Sequence, residues 1–257
     1  MKKVAVLNAK GGTGKTNVAM HIAHGLADAY RVLVVDLDPQ QAALSEPMAA
    51  YASDTPAAAL FAEPTEVKPT GRITLLPRSE HLAGVERESL DEMAHNLLAS
   101  LRANAAYYDR VVFDTAPHHG NAVAAAILAA DLIVSPIELQ EASLNAVEAA
   151  VSTIFGVCDH FNKPRPDLTV KRPLLVSRFN RHSIRQRALF QDLALQVGQI
   201  VIEGAVVTRD AYARAHAEAK PVWDLRDAAG RFSPTLKEAA AEMRGVLAQC
   251  ERMMEAA

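Results

Sequence analysis

A glycine-rich loop near the N-terminus carries the residues best suited to bind phosphate. It reads Lys10-Gly11-Gly12-Thr13-Gly14-Lys15-Thr16, between an apolar run at 3–8 and a helical pattern at 15–29. Glycines let consecutive backbone N–H groups point at phosphate oxygens. Lys15 supplies a positive charge for the β and γ phosphates, and the Thr16 hydroxyl can ligate Mg²⁺. The order of strand, loop and helix therefore predicts a nucleoside triphosphate site.

The loop departs from the general phosphate-loop pattern, which requires glycine where this chain has Ala9. A lysine at position 10 follows instead, and the loop resembles the deviant Walker A motif of the ParA/MinD family of P-loop ATPases. The resemblance implies that Lys10 reaches the nucleotide of the partner subunit in an ATP-bound sandwich homodimer. Asn17 stands where ParA proteins commonly carry a second threonine. Asparagine can still donate a hydrogen bond, so we expect its phosphate contact to survive in altered form.

Carboxylates follow two further apolar runs. One run continues into Asp36-Leu37-Asp38-Pro39-Gln40, and Val111-Val112-Phe113 delivers Asp114. These segments resemble the D-x-D-P-Q and Walker B motifs of the same family. The resemblance implies that Asp38 orients the attacking water, and that Asp36 and Asp114 belong with Thr16 to the Mg²⁺ site. Two simpler interpretations stay open: the acidic residues at 36–38 could cap a helix start, and Asp114 could be a structural carboxylate paired with an amide or a basic side chain.

The second half of the chain contains a basic segment. Between Lys163 and Phe190 there are eight Lys and Arg residues against Asp167 alone, although the whole chain has a net charge of −3. Such segregation favours a local surface that neutralises the phosphates of duplex DNA without reading its sequence. Scarce aromatic residues argue against single-stranded nucleic acid. The alternative is that these cations pair with acidic neighbours or line the nucleotide site.

The family resemblance extends to the segment 202–222, which resembles the ParA stretch that combines base contacts with DNA-facing positive charge. With the strand end at 176–180, it implies base contacts at Arg178, Asn180 and Thr208. The basic segment and this stretch together predict the contacts to DNA phosphates, which are Arg181, Arg185, Arg187, Arg209 and Arg214. His118 and His119 are interpreted as surface loop residues.

Short β-branched runs alternate with longer alanine-rich helical patterns, which is typical of an α/β fold with a mostly parallel, twisted sheet and helices on both faces. The predicted strands are 3–8, 31–36, 72–76, 110–114, 131–136, 172–177 and 200–203. The predicted helices are 15–29, 86–103, 119–129, 140–160, 182–196, 209–217 and 234–255. Such elements should bury the sheet and place the ends of parallel strands at one edge.

Composition limits the remaining choices. A chain of 257 residues that is 50% hydrophobic can form one large core, so we expect a single P-loop domain over 1–257 with a loop-rich insertion at about 46–71 and a short helix near 56–62. Cys158 and Cys250 match no metal spacing and are expected to be buried. No run approaches the ~18 apolar residues of a membrane span, which predicts a cytoplasmic protein.

The expected function is that of a ParA-like ATPase that needs ATP and Mg²⁺ and hydrolyses ATP slowly. The resemblance implies an ATP-bound dimer on non-specific double-stranded DNA, hence a nucleoid-associated protein, and a ParB-like adaptor that stimulates hydrolysis while a DNA or protein cargo is partitioned or positioned. A membrane-cycling ATPase of the MinD kind is one alternative, although the tail at 250–257 is not a basic amphipathic helix. A related P-loop enzyme, such as a small-molecule ligase or an iron–sulfur reductase, is another.

Overall fold

The protein folds around a seven-stranded sheet. The structure is a computed structural model that describes residues 1–8, 11–39, 43–85, 87–117, 120–139, 173–197 and 201–256. The strands are β1 Lys2–Val6, β2 Val32–Leu37, β3 Ile73–Leu76, β4 Arg110–Thr115, β5 Leu132–Glu138, β6 Leu174–Phe179 and β7 Val201–Val207. Their order across the sheet is β3-β2-β4-β1-β5-β6-β7, and every neighbouring pair is parallel. The predicted fold class is confirmed.

The helices within the described ranges lie close to the predicted ones, except for a one-turn helix at Leu82–Val85 that the sequence did not predict. They are α1 Lys15–Leu26, α2 Ala59–Ala62, α3 Leu82–Val85, α4 Leu90–Ala103, α5 Asn121–Ala129, α6 Ile184–Val197, α7 Asp210–Ala217 and α8 Pro234–Glu255. The helix predicted over 86–103 begins later, because Ser89 and Glu92 form a capping box that starts α4. The helix predicted at 140–160 lies outside the described residues.

The two faces of the sheet are covered by different helices. Successive strand residues point to opposite faces, so Val4 and Val6 join one core cluster with α1, α7 and α8, while Ala5 and Leu7 join another with α2, α4 and α5. Helix α6 packs on β5 and β6 through Leu193. With both faces covered, the middle strands are continuously buried.

The proline-rich segment at 46–71 contains more buried structure than a loop-rich insertion suggests. A short 3₁₀ helix at Ala49–Tyr51 and α2 interrupt it. Leu60 and Phe61 are fully buried, and the Ser100 hydroxyl on α4 donates to the Leu60 carbonyl at 3.1 Å. The segment therefore contributes to the core. Across the described ranges, no helix has the length and apolarity to cross a bilayer.

Candidate phosphate, metal and base site

The phosphate loop turns sharply between β1 and α1. Gly12 and Gly14 have φ angles of 77° and 88°, a left-handed conformation that a side chain would strain. Gly14 is the N-cap of α1, so the first turn of that helix begins at Lys15. The unpaired N–H groups and the positive end of the helix dipole are therefore directed toward the loop, as a phosphate site requires.

Strand β6 supports this loop from the other half of the sheet. The Ser177 hydroxyl donates to the Thr13 carbonyl at 2.7 Å. The Arg178 guanidinium pairs with Glu138 at 3.1 Å, and its Nη1 would lie 4.0 Å from a β-carbon placed on Gly12. Arg178 thus lies beside the phosphate loop, which is consistent with a nucleotide contact there.

Two carboxylates that the sequence placed at strand ends are neighbours in the sheet. Asp36 on β2 is in register with Asp114 on β4, and both are buried. Asp36 accepts hydrogen bonds from the Ser45 amide at 3.1 Å, from the Ser45 hydroxyl and from the Asp38 amide at 3.1 Å. Burial nevertheless raises the pKa of Asp36 to about 6. Burial and the adjacent Asp36 raise the pKa of Asp114 well above its usual range.

Lys15 and Thr16 meet these carboxylates from the start of α1. Burial lowers the pKa of Lys15, whereas Asp114 and Asp38 oppose that shift. The Thr16 hydroxyl is hydrogen-bonded to Asp114. Lys15, Thr16, Asp36, Asp38 and Asp114 therefore surround one point at the carboxyl ends of β1, β2 and β4, where ligands of parallel sheets bind.

The donor set fits a magnesium ion that is shared with phosphate. Oδ1 of Asp114 is buried and has no hydrogen-bond partner within the described ranges, so it has unused capacity to accept. No group of three or more His, Cys, Asp or Glu residues that could hold a metal is found in the same ranges. Mg²⁺ at phosphate sites keeps several waters and needs only one or two carboxylates, so the pair of Asp36 and Asp114 with Thr16 is sufficient.

A cavity of about 400 Å³ lies beyond the ends of β6 and β7. Asn180 and Thr208, the predicted base contacts, line it, and the Thr208 amide donates to the Phe179 carbonyl at 3.1 Å. Arg181 and Arg209 line the same cavity. Two arginines predicted to contact DNA therefore border the space expected for the base.

The predicted DNA contacts differ in how they are paired. Arg209 is nearly buried and pairs with Glu242 at 2.7 Å and with Glu238 at 2.9 Å, which neutralises its charge. Arg181 is half-exposed and pairs with Glu238 at 3.4 Å. For Arg209, and in part for Arg181, pairing with acidic side chains therefore fits the structure better than a contact with DNA phosphates.

The other three arginines lie on the surface. Arg185 and Arg187 are exposed on α6. Arg214 on α7 is half-exposed, pairs with Glu218 at 3.2 Å and donates to the Arg226 carbonyl at 2.8 Å. All three are exposed or half-exposed, and their contact with DNA phosphates stays a prediction.

Asn17 connects the phosphate-loop helix to α7. Its side-chain amide donates to the Tyr212 carbonyl at 2.7 Å. One donor of this amide is thus used in the α1–α7 contact, and the contact of Asn17 with phosphate stays a prediction.

Several predicted residues lie outside the described ranges. They are Lys10, Gln40, His118, His119, Cys158, Lys163, Arg165, Asp167, Lys171 and Arg172. The intersubunit role of Lys10 and part of the basic segment therefore stay predictions. Cys250, the other cysteine, is buried as expected.

The structure adds residues that the sequence analysis missed. Ser45 bonds Asp36, and Ser177 holds the phosphate loop through Thr13. Neither lies in a motif that by itself specifies phosphate chemistry, and each reaches its partner only because distant strands are adjacent in the sheet. A hydroxyl at the end of a predicted strand, as at Ser177, was the one signal that could have drawn attention to them.

Comparisons with known proteins agree with this geometry. A family model described as an AAA domain matches residues 1–166. The protein IncC of Escherichia coli is 34% identical over 244 residues, a match that covers 90% of this chain and 65% of IncC, so the chain spans less than two thirds of that relative. The chromosome partitioning protein ParA of Myxococcus xanthus is 30% identical over 200 residues, covering 72% of this chain and 68% of that protein.

A solved structure extends the agreement to the fold. The crystal structure of a putative plasmid partition protein from Borrelia burgdorferi, bound to AMPPNP, has a TM-score of 0.73, covers 96% of this chain and 99% of its own, and is 19% identical. It supports the architecture, while the sequence relatives carry the family assignment. The phosphate loop, the paired carboxylates and these matches together place the chain in the ParA/MinD family of P-loop ATPases, among relatives of the ParA partition type.

Proposed function

We propose that this protein is a ParA-like ATPase that binds ATP with Mg²⁺, dimerises around the nucleotide and uses hydrolysis to partition or position a cargo. The observation that carries the proposal is the convergence of Lys15, Thr16, Asp36, Asp38 and Asp114 beside the phosphate loop. A buried lysine between carboxylates at a helix N-terminus suits a polyphosphate and its cation.

Each side chain has a distinct task in this proposal. The loop amides and Lys15 hold the β and γ phosphates, and Thr16, Asp36 and Asp114 hold Mg²⁺ directly or through water. The bound cation would neutralise charge that develops on the phosphates. Asp38, half-buried and close enough to Lys15 to influence its pKa, orients the attacking water. Arg178, Asn180 and Thr208 border the nucleotide and its base.

The remaining parts of the proposal concern partners. Lys10 enters the partner subunit's site, so that only the ATP-bound dimer is complete. Arg185, Arg187 and Arg214 face the phosphates of non-specific duplex DNA, which would make the protein cytoplasmic and nucleoid-associated. A cargo-linked, ParB-like adaptor stimulates hydrolysis and resets the dimer to monomers.

The dimer is tested first, because every later step depends on it. We expect Lys10→Ala to bind ATP within about threefold of wild type but to lose the ATP-dependent dimer and most turnover, since the residue acts across the interface. Sedimentation velocity with ATP and with ADP measures this. Lys2→Ala, at the opposite end of β1, is the matched control. A Lys10→Ala protein that dimerises and hydrolyses normally overturns the intersubunit role, and a wild type that neither dimerises with ATP nor hydrolyses it overturns the proposed function.

A further inference from the structure

The chain that follows Asp38 is hydrogen-bonded to Arg78, the second residue after β3. Arg78 donates through its guanidinium Nη1 to the Pro39 carbonyl at 2.7 Å. The Arg78 backbone amide donates to the Ser45 hydroxyl at 2.9 Å. One residue therefore contacts the chain on both sides of residues 40–44, immediately after Asp38 and at the serine that bonds Asp36.

The Ser45 hydroxyl connects Arg78 to Asp36, one of the carboxylates of the proposed Mg²⁺ site. It accepts from Arg78 and donates to Oδ2 of Asp36, while the Ser45 amide reaches the same oxygen at 3.1 Å. A third contact supports the loop from the other side, where the His216 imidazole of α7 is bonded to the Ala43 carbonyl. Pro39, Ala43 and Ser45, which follow Asp36 and Asp38 in the chain, are thus each bonded to a distant residue, either Arg78 or His216.

We propose that Arg78 is a positioning residue for ATP hydrolysis: its side chain holds Pro39, its amide holds Ser45, and this clamp keeps Asp36 and Asp38 in their working geometry. This inference rests on the proposed function. Arg78 is half-buried and its guanidinium donates to a backbone carbonyl, an arrangement in which a charged donor forms a strong hydrogen bond. Support of this kind around reacting groups commonly decides whether the site is accurate enough for catalysis.

The clamp acts on chemistry more than on nucleotide binding. Lys15 and Thr16 belong to α1, and the phosphate-loop amides lie between β1 and α1. Among the bonds described, Arg78 contacts none of these parts. Loss of the side chain removes the bond to Pro39, next to Asp38, but leaves the amide bond to Ser45 that supports Asp36. Asp38 would then be displaced from the attacking water while the phosphates and Mg²⁺ stay bound. The expected signature is a lower kcat with the ATP affinity retained.

Two substitutions separate the hydrogen bond from the bulk of the side chain. Arg78→Met keeps an unbranched chain without a donor, and Arg78→Lys keeps one charged donor for the Pro39 carbonyl. Arg72→Met is the matched control, because Arg72 is an exposed arginine just before the opposite end of β3. The measurements are kcat and KM for ATP, binding of a fluorescent ATP analogue with Mg²⁺, and hydrogen exchange of the Asp38 and Ser45 amides in the nucleotide-free protein.

For Arg78→Met we expect kcat to fall about tenfold, ATP-analogue binding to stay within about twofold, and the Asp38 amide, which precedes Pro39, to exchange about fivefold faster, the factor for loss of one ordinary hydrogen bond at the adjacent residue. Arg78→Lys should recover most of both changes, and Arg72→Met should match wild type. Unchanged exchange and unchanged kcat in Arg78→Met overturn the clamp, as does an equal effect of Arg72→Met. If wild type hydrolyses no ATP, the proposed function fails, whereas faster exchange in Arg78→Met alone still establishes that Arg78 holds the loop.

Discussion

At the scale of single residues, the site is electrostatically incomplete without a cation. Asp36 and Asp114 are adjacent, buried and of like charge, and the usual response of such a pair is to retain a proton. Lys15 offsets the charge only in part, because its own burial disfavours the charged form. A nucleotide that brings Mg²⁺ would satisfy both carboxylates, which couples metal and nucleotide binding.

Substitutions of Lys15 and Asp38 should separate ATP binding from ATP hydrolysis. Lys15→Ala removes the charge that faces the phosphates, so we expect loss of ATP binding by at least about tenfold. Asp38→Ala should bind ATP as wild type does but hydrolyse it at least about a hundredfold more slowly, the usual contribution of a group that activates water. Equilibrium binding of a fluorescent ATP analogue and single-turnover hydrolysis measure the two effects.

Asp91→Ala, a substitution at an exposed carboxylate on α4, is the control for a change of net charge. Hydrolysis at the wild-type rate by an Asp38→Ala protein that binds ATP would contradict the water-orienting role.

At the scale of elements, α1 connects the phosphate loop to α7 and the segment after it. Asn17 donates to the Tyr212 carbonyl, and the buried His21 lies one turn later. The His21 Nδ1 donates to the Asn17 carbonyl at 2.7 Å, since Nε2 accepts from the Val222 amide at 3.2 Å. This assignment requires a neutral imidazole. Burial accordingly lowers the pKa of His21 to about 4.

The stability of the fold should therefore depend on His21 at acidic pH. In the unfolded chain a histidine binds a proton below about pH 6.5, whereas folded His21 resists protonation down to about 4. The unfolded state thus binds more protons between these values, and stability is lost as pH falls through this window. A difference of this size corresponds to roughly 3 kcal/mol. Asp36 acts in the opposite direction, because its raised pKa makes the folded state bind more protons between about 3.8 and 6.

Comparison with His21→Gln isolates the histidine from Asp36. Urea unfolding of the nucleotide-free protein at pH 4.5 to 7.5 should show that wild type loses stability relative to His21→Gln as pH falls. His81→Gln, at an exposed histidine, should follow wild type. A constant difference between wild type and His21→Gln across this range would contradict a buried, neutral His21.

At the scale of the whole molecule, charge is segregated although the net charge is only −3. Arg209 is nearly buried and pairs with acidic residues of α8, whereas Arg185 and Arg187 are exposed on α6. A dimer would present two such surfaces, so nucleotide state could control DNA affinity through the number of arginines facing one duplex.

We expect the ATP-bound protein to bind random duplex DNA with an affinity that falls steeply with salt, by roughly 0.9 in log–log slope for each phosphate contact. Arg185→Glu should weaken binding to all sequences alike and flatten that slope, while ATP-dependent dimerisation stays intact. Gel-shift titrations at several salt concentrations measure both quantities.

Arg102→Glu carries the same charge change at an exposed position near the end of α4 and should affect binding much less. Salt-independent binding by wild type, or equal effects of the two substitutions, would contradict a DNA surface on α6.

Most of the fold could be predicted from sequence because its signals are local. Continuous apolar runs and alanine-rich helical periods are set by neighbours along the chain, and the glycines and lysine of the phosphate loop identify themselves by spacing. The start of α4 was misplaced because the competing signal, the Ser89 and Glu92 capping box, is a local feature that the broader helical period obscured.

What the tertiary structure alone decided is which distant residues meet. The sequence by itself determined the parallel sheet, the phosphate loop and the strand-end carboxylates. Only the strand order brought Asp36 beside Asp114, placed Ser177 under the phosphate loop and brought Arg78 to Pro39. The ion pairing of Arg209 also depends on the tertiary structure, because Glu238 and Glu242 lie on a helix that begins more than twenty residues later. No local pattern encodes a contact between elements that become neighbours only when the core is formed.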